Sequence, residues 1–242
     1  MKKLGILGGM GPLAGAYFFL RFSQLTAAQR DDGHPEAVLY SASGIPDRTA
    51  WLMGRGESPL PALLRGTAFL CDSGAEVLVM ACNTAYAFFS ELQEASGGRL
   101  LNMPELAVSD AVSHGAGRIG VLSTTGCASA GIYRAACLRA GVEYVPMPSR
   151  VQEAVNGKIY RKKAGEDIAP EAFLLAAGEL FDAGADHVIF GCTEISAVMG
   201  GGVYPAVTDA LETTARAAVA ACGAVCHPKS ERRSHDFCGT FV

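Results

Sequence analysis

Two stretches of this chain, DSGAEVLVMACNT from residue 72 and DAGADHVIFGCTE from residue 182, lie over one another without a gap. The overlay pairs Asp72 with Asp182, Gly74 with Gly184, Ala75 with Ala185 and Cys82 with Cys192, at a constant offset of 110 residues. Upstream, LGILGGMG pairs with IGVLSTTG at a slightly different shift, Gly5 falling on Gly120. A shared lead-in of this kind points to internal duplication, and a duplicated chain is restricted to folds built from two like halves.

Each half alternates apolar runs with helix-like segments. KLGILG, AVLYSA and EVLVMA read as strands in the first half, with GPLAGAYFFLRFSQLTAAQ and LPALLRGTAFLCDSG as helices between them. The second half gives strands at RIGVLSTTG, EYVPM and DHVIFG, and helices at ASAGIYRAACLRAG and EAFLLAAGELFDAG. Alternation of strand and helix predicts parallel sheets with helical crossovers, and continuous apolar strands predict that helices cover both faces. The expected fold class is therefore α/β, with two pseudo-twofold-related lobes, each a parallel sheet flanked by helices, and the active site in the cleft between them. We expect a first lobe over residues 1–112, completed by about 206–225, a second over 113–205, and a tail at 226–242.

Composition narrows the function classes. With 242 residues, half of them hydrophobic, the chain can bury one large or two small cores. A net charge of -4 without a long basic run gives no footprint for nucleic acid. The opening MKKLGILGGMG is too short, too glycine-broken and too poor in small residues at a cleavage point to be a signal peptide. No apolar run approaches the roughly 20 residues that span a bilayer. The expected location is the cytoplasm, with no membrane partner.

Under cytoplasmic reduction the eight cysteines are expected as thiols. Cys71, Cys127 and Cys137 read as small apolar core residues. The segment holding Cys222, Cys226, His227, His235 and Cys238 has no familiar zinc spacing, so no metal is expected. Cys82 and Cys192 differ, because each ends a strand and opens the next turn. In open parallel sheets such positions face the ligand crevice. Asn83 and Thr84 after the first, and Thr193 and Glu194 after the second, suit helix capping, and a helix N-terminus attracts anions and favours thiolate. Two thiols facing one another across a carboxylate fit proton transfer at a stereogenic carbon, one removing the α-proton and the other delivering a proton to the opposite face. The carbanion formed needs fixed donors around it.

GILGGMGP at 5–12, IPDRTA at 45–50, ACNTAY at 81–86, KAGE at 163–166 and GCTEIS at 191–196 resemble, in this order, the cofactor-independent aspartate/glutamate racemases, and most of all the aspartate racemases. The resemblance runs to about residue 220. It implies that Cys82 and Cys192 are the paired acid/base residues, Cys192 taking the proton from the L enantiomer and Cys82 from the D enantiomer. It implies that Met10, Gly11, Asn83, Thr84, Thr124, Thr125 and Thr193 hold the α-carboxylate and amino group, with Glu194 beside them, and that Arg48 and Lys163 grip the side-chain carboxylate. It further implies no cofactor, an acidic amino acid as the small-molecule substrate, and a homodimer.

Other readings of the same residues stay open at this point. Arg48 would equally brace a loop, and Lys163 would equally belong to a solvated charge run in a loop, with Lys162 as its rival. GMGPLA at 9–14 fits the dinucleotide-binding pattern, but AVLYSASG supplies no acidic residue for a ribose. A non-catalytic binder of acidic amino acids would leave the thiols as spectators. Glutamate racemase, maleate isomerase, hydantoin racemase and malonate decarboxylase chemistries share the two-lobed plan.

Overall fold

In the computed structural model, which describes residues 1–228, the first half opens with β1 (Leu4–Gly8) and α1 (Pro12–Leu25). It continues through β2 (Ala37–Ser41), α2 (Arg48–Leu52), α3 (Leu60–Asp72) and β3 (Val77–Met80). A 3-10 turn (Asn83–Phe88) then leads into α4 (Phe89–Ala95) and α5 (Met103–Ser113). The second half runs β4 (Arg118–Leu122), α6 (Thr125–Ser129), α7 (Ile132–Ala140), β5 (Glu143–Val145), α8 (Ser149–Lys163) and α9 (Glu171–Asp182). It ends with β6 (His187–Phe190), α10 (Thr193–Met199), β7 (Val207–Asp209) and α11 (Ala210–Ala221).

The residues explain these elements. Pro12 starts α1, where a missing N–H costs nothing, and Ala14, Phe18, Phe22 and Leu25 recur at helical spacing as its buried face. Asn102 caps α5 by accepting from the Glu105 N–H group, and Asp209 caps α11 by accepting from those of Leu211 and Glu212. Strands β1, β3 and β6 are buried along their whole length, as parallel strands covered by helices on both faces must be.

The two sheets share one strand order. The first is β2-β1-β3 and the second β5-β4-β6-β7, all parallel. A single parallel bridge from Leu78 to Leu100 stands in the first sheet where β7 stands in the second. The same close approach of helix to strand recurs as well. A Cβ on Gly5 would lie 3.3 Å from the Leu70 Cβ, and one on Gly120 would lie 3.0 Å from the Leu180 Cβ, so in both halves only glycine lets the helix settle this near the sheet. Helices α5 and α11, which close the two halves, pack against each other.

Some details differ from expectation. The return to the first lobe, expected from about residue 206, begins at α11, because Val207 and Thr208 first pair with Val188 and Ile189 and give the second sheet its edge strand. From there α11 packs on α1 and α5. The EYVPM strand stops at Val145. The basic segment around Lys162 and Lys163 is not a loop but the end of α8, held by Val151, Val155 and Ile159 at i, i+4, i+8. One core fills the first lobe together with α5, α7 and α11, and a second fills the space between β6, α8 and α9. Cys127 and Cys137 are buried, while Cys71 is only half-buried. Cys222 is buried at the end of α11 and Cys226 bridges Thr26, whereas His235 and Cys238 lie outside the described residues. Among the described residues no cluster of His, Cys, Asp or Glu is arranged to hold a metal, and no helix is long and apolar enough to cross a membrane.

Candidate active site

Cys82 follows β3 and Cys192 follows β6, each at the carboxyl end of the third strand of its half. Both are extended N-cap residues with φ of -162° and -149°. The capping role expected of their neighbours is not taken up. Neither turn has a side-chain cap, and the segment after Cys82 is a 3-10 turn rather than an α-helix. Asn83, Thr84, Thr193 and Glu194 are buried instead, and their polar atoms reach across the junction between the lobes.

The crossings are paired. Thr84 and Thr124 share a hydroxyl hydrogen bond of 2.9 Å, joining the first thiol turn to the β4–α6 loop. Thr124 also caps α6 by accepting from the Cys127 N–H group. From the other lobe, the Gly11 N–H donates to Glu194 Oε1 at 3.3 Å, and the Thr193 hydroxyl, 3.3 Å from both, has the Ala81 carbonyl and Glu194 Oε2 as its acceptors. The Cys192 thiol donates to Glu194 Oε2 at 3.1 Å. The two thiol-bearing turns are thus in direct hydrogen-bonded contact.

Lys163 stands beside this carboxylate. Its Nζ lies 4.0 Å from Glu194 Oε1 and 5.2 Å from the centre of the Tyr160 ring. Burial works against its charge, yet its acidic neighbours, Glu194 foremost, outweigh burial and raise its pKa. Lys162, the rival in sequence, points away to Asp167 at 3.6 Å. The helix periodicity separates the two neighbours.

Arg48 is the first residue of α2, 6 % exposed. Its Nη1 donates to the carbonyls of Ile45 and Pro46 and its Nη2 to that of Met10 at 2.8 Å. The Nε–H group is buried without a partner among the described residues, so Nε is a donor left open for a carboxylate. Arg48 holds the Met10 carbonyl, and a Cβ on the next residue, Gly11, would lie 3.9 Å from Lys163 Cγ, so the two cations flank the same loop. Asp47 caps α2 and accepts from the Tyr160 hydroxyl at 2.8 Å, locking α2 to α8.

The thiols do not sit in an open pocket. Each cysteine is 5 % exposed, so a ligand reaches the sulfurs only when neighbouring groups move. A surface hollow opens on the other side of Thr125, lined also by Arg134, Tyr144 and Gln152. Thr125 itself is engaged, its N–H and hydroxyl both directed at Asn156 Oδ1. The expected thiolate bias is reversed at Cys192. Burial first, and then the Glu194 carboxylate, push its pKa well above the ordinary thiol range, and Lys163 only partly opposes them. Desolvation costs more than a helix N-terminus returns.

Sequence reading missed Gln152, Asn156, Tyr160 and Asp47. Gln152, Asn156, Tyr160 and Lys163 share one face of α8, a polar i, i+4, i+8, i+11 spacing that could have been found. It also missed Tyr133, whose hydroxyl donates to Asn83 Oδ1. Nothing in the sequence separates Tyr133 from an ordinary aromatic on a helix.

Two parallel sheets thus each carry a cysteine after the third strand, at a lobe junction that also holds buried Arg48 and Glu194 and the half-buried Lys163. The sequence profile of the Asp/Glu/Hydantoin racemase family matches residues 7–222. The chain belongs to that family, and a racemase is the enzyme class it defines. A Bacillus subtilis broad specificity amino-acid racemase, RacX, is 26 % identical over 204 residues, covering 81 % of this chain and 87 % of its own length. A Pseudomonas aeruginosa glutamate racemase is 33 % identical over 136 residues, which is 52 % of this chain and 48 % of the relative. The solved structure of Picrophilus torridus aspartate racemase superposes with a TM-score of 0.77 at 28 % identity, covering 94 % of this chain and 96 % of that one.

Proposed function

We propose that this protein interconverts the L and D forms of an acidic amino acid, aspartate ahead of glutamate, by a cofactor-free two-base transfer with Cys82 and Cys192 as the bases. The observation that carries the reading is that the two buried cysteines end the third strands of the duplicated sheets on turns joined directly by the Thr193 hydroxyl and the Ala81 carbonyl, with the Lys163 ammonium 4.0 Å from the Glu194 carboxylate that accepts the Cys192 proton. Two thiol turns in contact, with a cation beside them, are suited to a dicarboxylate that reacts between the sulfurs. In the L-to-D direction the Cys192 thiolate takes the α-proton, the electron pair spreads into the α-carboxylate, and the Cys82 thiol returns a proton from the opposite face. Charge developing on that carboxylate would be met by the Asn83 Nδ2 and Thr84 groups.

Glu194 is the acceptor already in contact with the Cys192 proton, and in this reading it exchanges that proton between turnovers. Arg48 Nε and Lys163 hold the side-chain carboxylate. Aspartate is favoured because the likeness to an aspartate racemase spans nearly the whole of both chains, whereas the glutamate racemase relative aligns over about half its length. The reading includes a homodimer working in the cytoplasm, the dimer being checked by light scattering.

The test is incubation of the purified protein, with no added cofactor, with each enantiomer of aspartate and glutamate in heavy water. The expected result is racemisation with deuterium entering the α-position, faster for aspartate. Absence of exchange with every acidic amino acid would reduce the protein to a binder and end the reading.

A further inference from the structure

Tyr133 lies on α7 in the second lobe, is 2 % exposed, and carries no role in the reaction described above. Its hydroxyl donates to Asn83 Oδ1 across the lobe junction. Asn83 directly follows Cys82. Its Nδ2 is buried and has no partner among the described residues, and a buried amide donor left open is costly unless a ligand completes it. The ring of Tyr133 rests on the other thiol turn. A Cβ on Gly191, the residue directly before Cys192, would come 2.9 Å from Tyr133 Cε2, closer than any side chain there could be accommodated. One side chain therefore touches both thiol-bearing segments, its ring on the backbone of one and its hydroxyl on the residue after the other.

We infer that Tyr133 is a positioning residue that fixes the Asn83 amide with its Nδ2 donor presented to the substrate and sets the spacing of the Cys82 and Cys192 turns. The orientation follows from donor chemistry. A tyrosine hydroxyl that donates selects the oxygen of the amide, so the nitrogen is left for an acceptor such as a carboxylate. Burial drives the Tyr133 pKa well above the usual phenol value, so the hydroxyl keeps its proton and stays a donor across the working pH range. The inference rests on the racemase reading only for the identity of the acceptor. The ordering of Asn83 by Tyr133 stands apart from it.

Two measurements decide it. In the first, a double-mutant cycle of kcat/KM is taken with Tyr133→Phe and Asn83→Ala. Each single change is expected to cost at least about tenfold in both directions of racemisation. The double variant is expected to lose no more than Asn83→Ala alone, because Tyr133 acts through Asn83. Full turnover in Tyr133→Phe, or losses that multiply, overturns the inference while the racemase reading stands. In the second, nuclear relaxation of the Asn83 side-chain amide is read without substrate. An ordered amide in the wild-type protein that becomes mobile in Tyr133→Phe supports the inference, and an amide mobile in the wild-type protein, or still ordered in Tyr133→Phe, overturns it. The wild-type arm of this readout can overturn the inference without any variant, Tyr133→Leu serves as the second variant if Tyr133→Phe fails to fold, and neither arm needs racemisation, whose absence removes only the proposed function.

Discussion

The two thiol turns occupy equivalent places in the duplicated fold, and their surroundings are not the same. At the first, Thr84 crosses to the opposite lobe through a hydroxyl pair with Thr124 at 2.9 Å. At the second, the equivalent position is Glu194, which crosses to Gly11 and also accepts the proton of its own cysteine at 3.1 Å. The caps of the closing helices differ in the same sense, neutral Asn102 on α5 against Asp209 on α11, which is joined to the Cys192 helix through Ser196 at 2.7 Å. Duplication supplies a pair of sulfurs, and the unequal side chains around them make one a carboxylate-coupled thiol. A two-faced substrate needs two opposed bases, but the chain need not tune both by the same means.

The largest expected effect comes from removing either member of the pair. Cys82→Ser and Cys192→Ser each should lower racemisation by at least about 10²-fold, read by chiral chromatography, with thermal stability near that of the wild-type protein. Lys163→Met ranks next. A charged contact of this kind contributes about 1.5–3 kcal/mol, so KM for aspartate should rise by roughly 10-fold to 100-fold.

Glu194→Gln sharpens the comparison. The negative charge at 194 helps to raise the Cys192 pKa, so a neutral amide lets that pKa fall. The limb of the pH-rate profile that needs the Cys192 thiolate, for L-aspartate, should then move to lower pH, with the D-aspartate profile moving less. Equal movement of both profiles would mean that the carboxylate serves the two sulfurs alike.

The smallest effect is at the cap. Burial pushes the Asp209 carboxyl up to about 6 from an ordinary 3.8. A raised folded-state pKa means that the protonated form favours folding, so this contribution is present below about pH 4 and is lost as pH rises through 6. Asp209→Asn makes the cap resemble that of α5. It should remove a decline in unfolding free energy on the order of 1–3 kcal/mol between those pH values, measured by urea titration at pH 4 and pH 7. An unchanged decline would show that another group titrates there.

The sequence carried the sheets plainly, because apolar runs such as LGILG and HVIF are buried end to end and have no other use. It carried the thiol pair through the repeated Asp-x-Gly-Ala lead-in. It hid α8, whose mean character is polar and whose buried positions are only Val151, Val155 and Ile159. It hid β7, three residues long behind Ala206, which takes a positive φ of 53°. The capping expectation failed for a physical reason. Side chains that could cap a helix were drawn across the lobe junction by better partners, Thr84 to Thr124 and Glu194 to Gly11 and Cys192. Contacts made only after two lobes meet leave no periodic trace in either one.

The account depends on two sulfurs acting from opposite faces of one substrate carbon. Exchange of the α-proton in heavy water, measured separately for L- and D-aspartate in Cys82→Ser and Cys192→Ser, tests this most directly. The account predicts one-sided loss, with Cys192→Ser failing to exchange the L form and Cys82→Ser failing to exchange the D form. Exchange of both enantiomers at wild-type rates by either variant would contradict it.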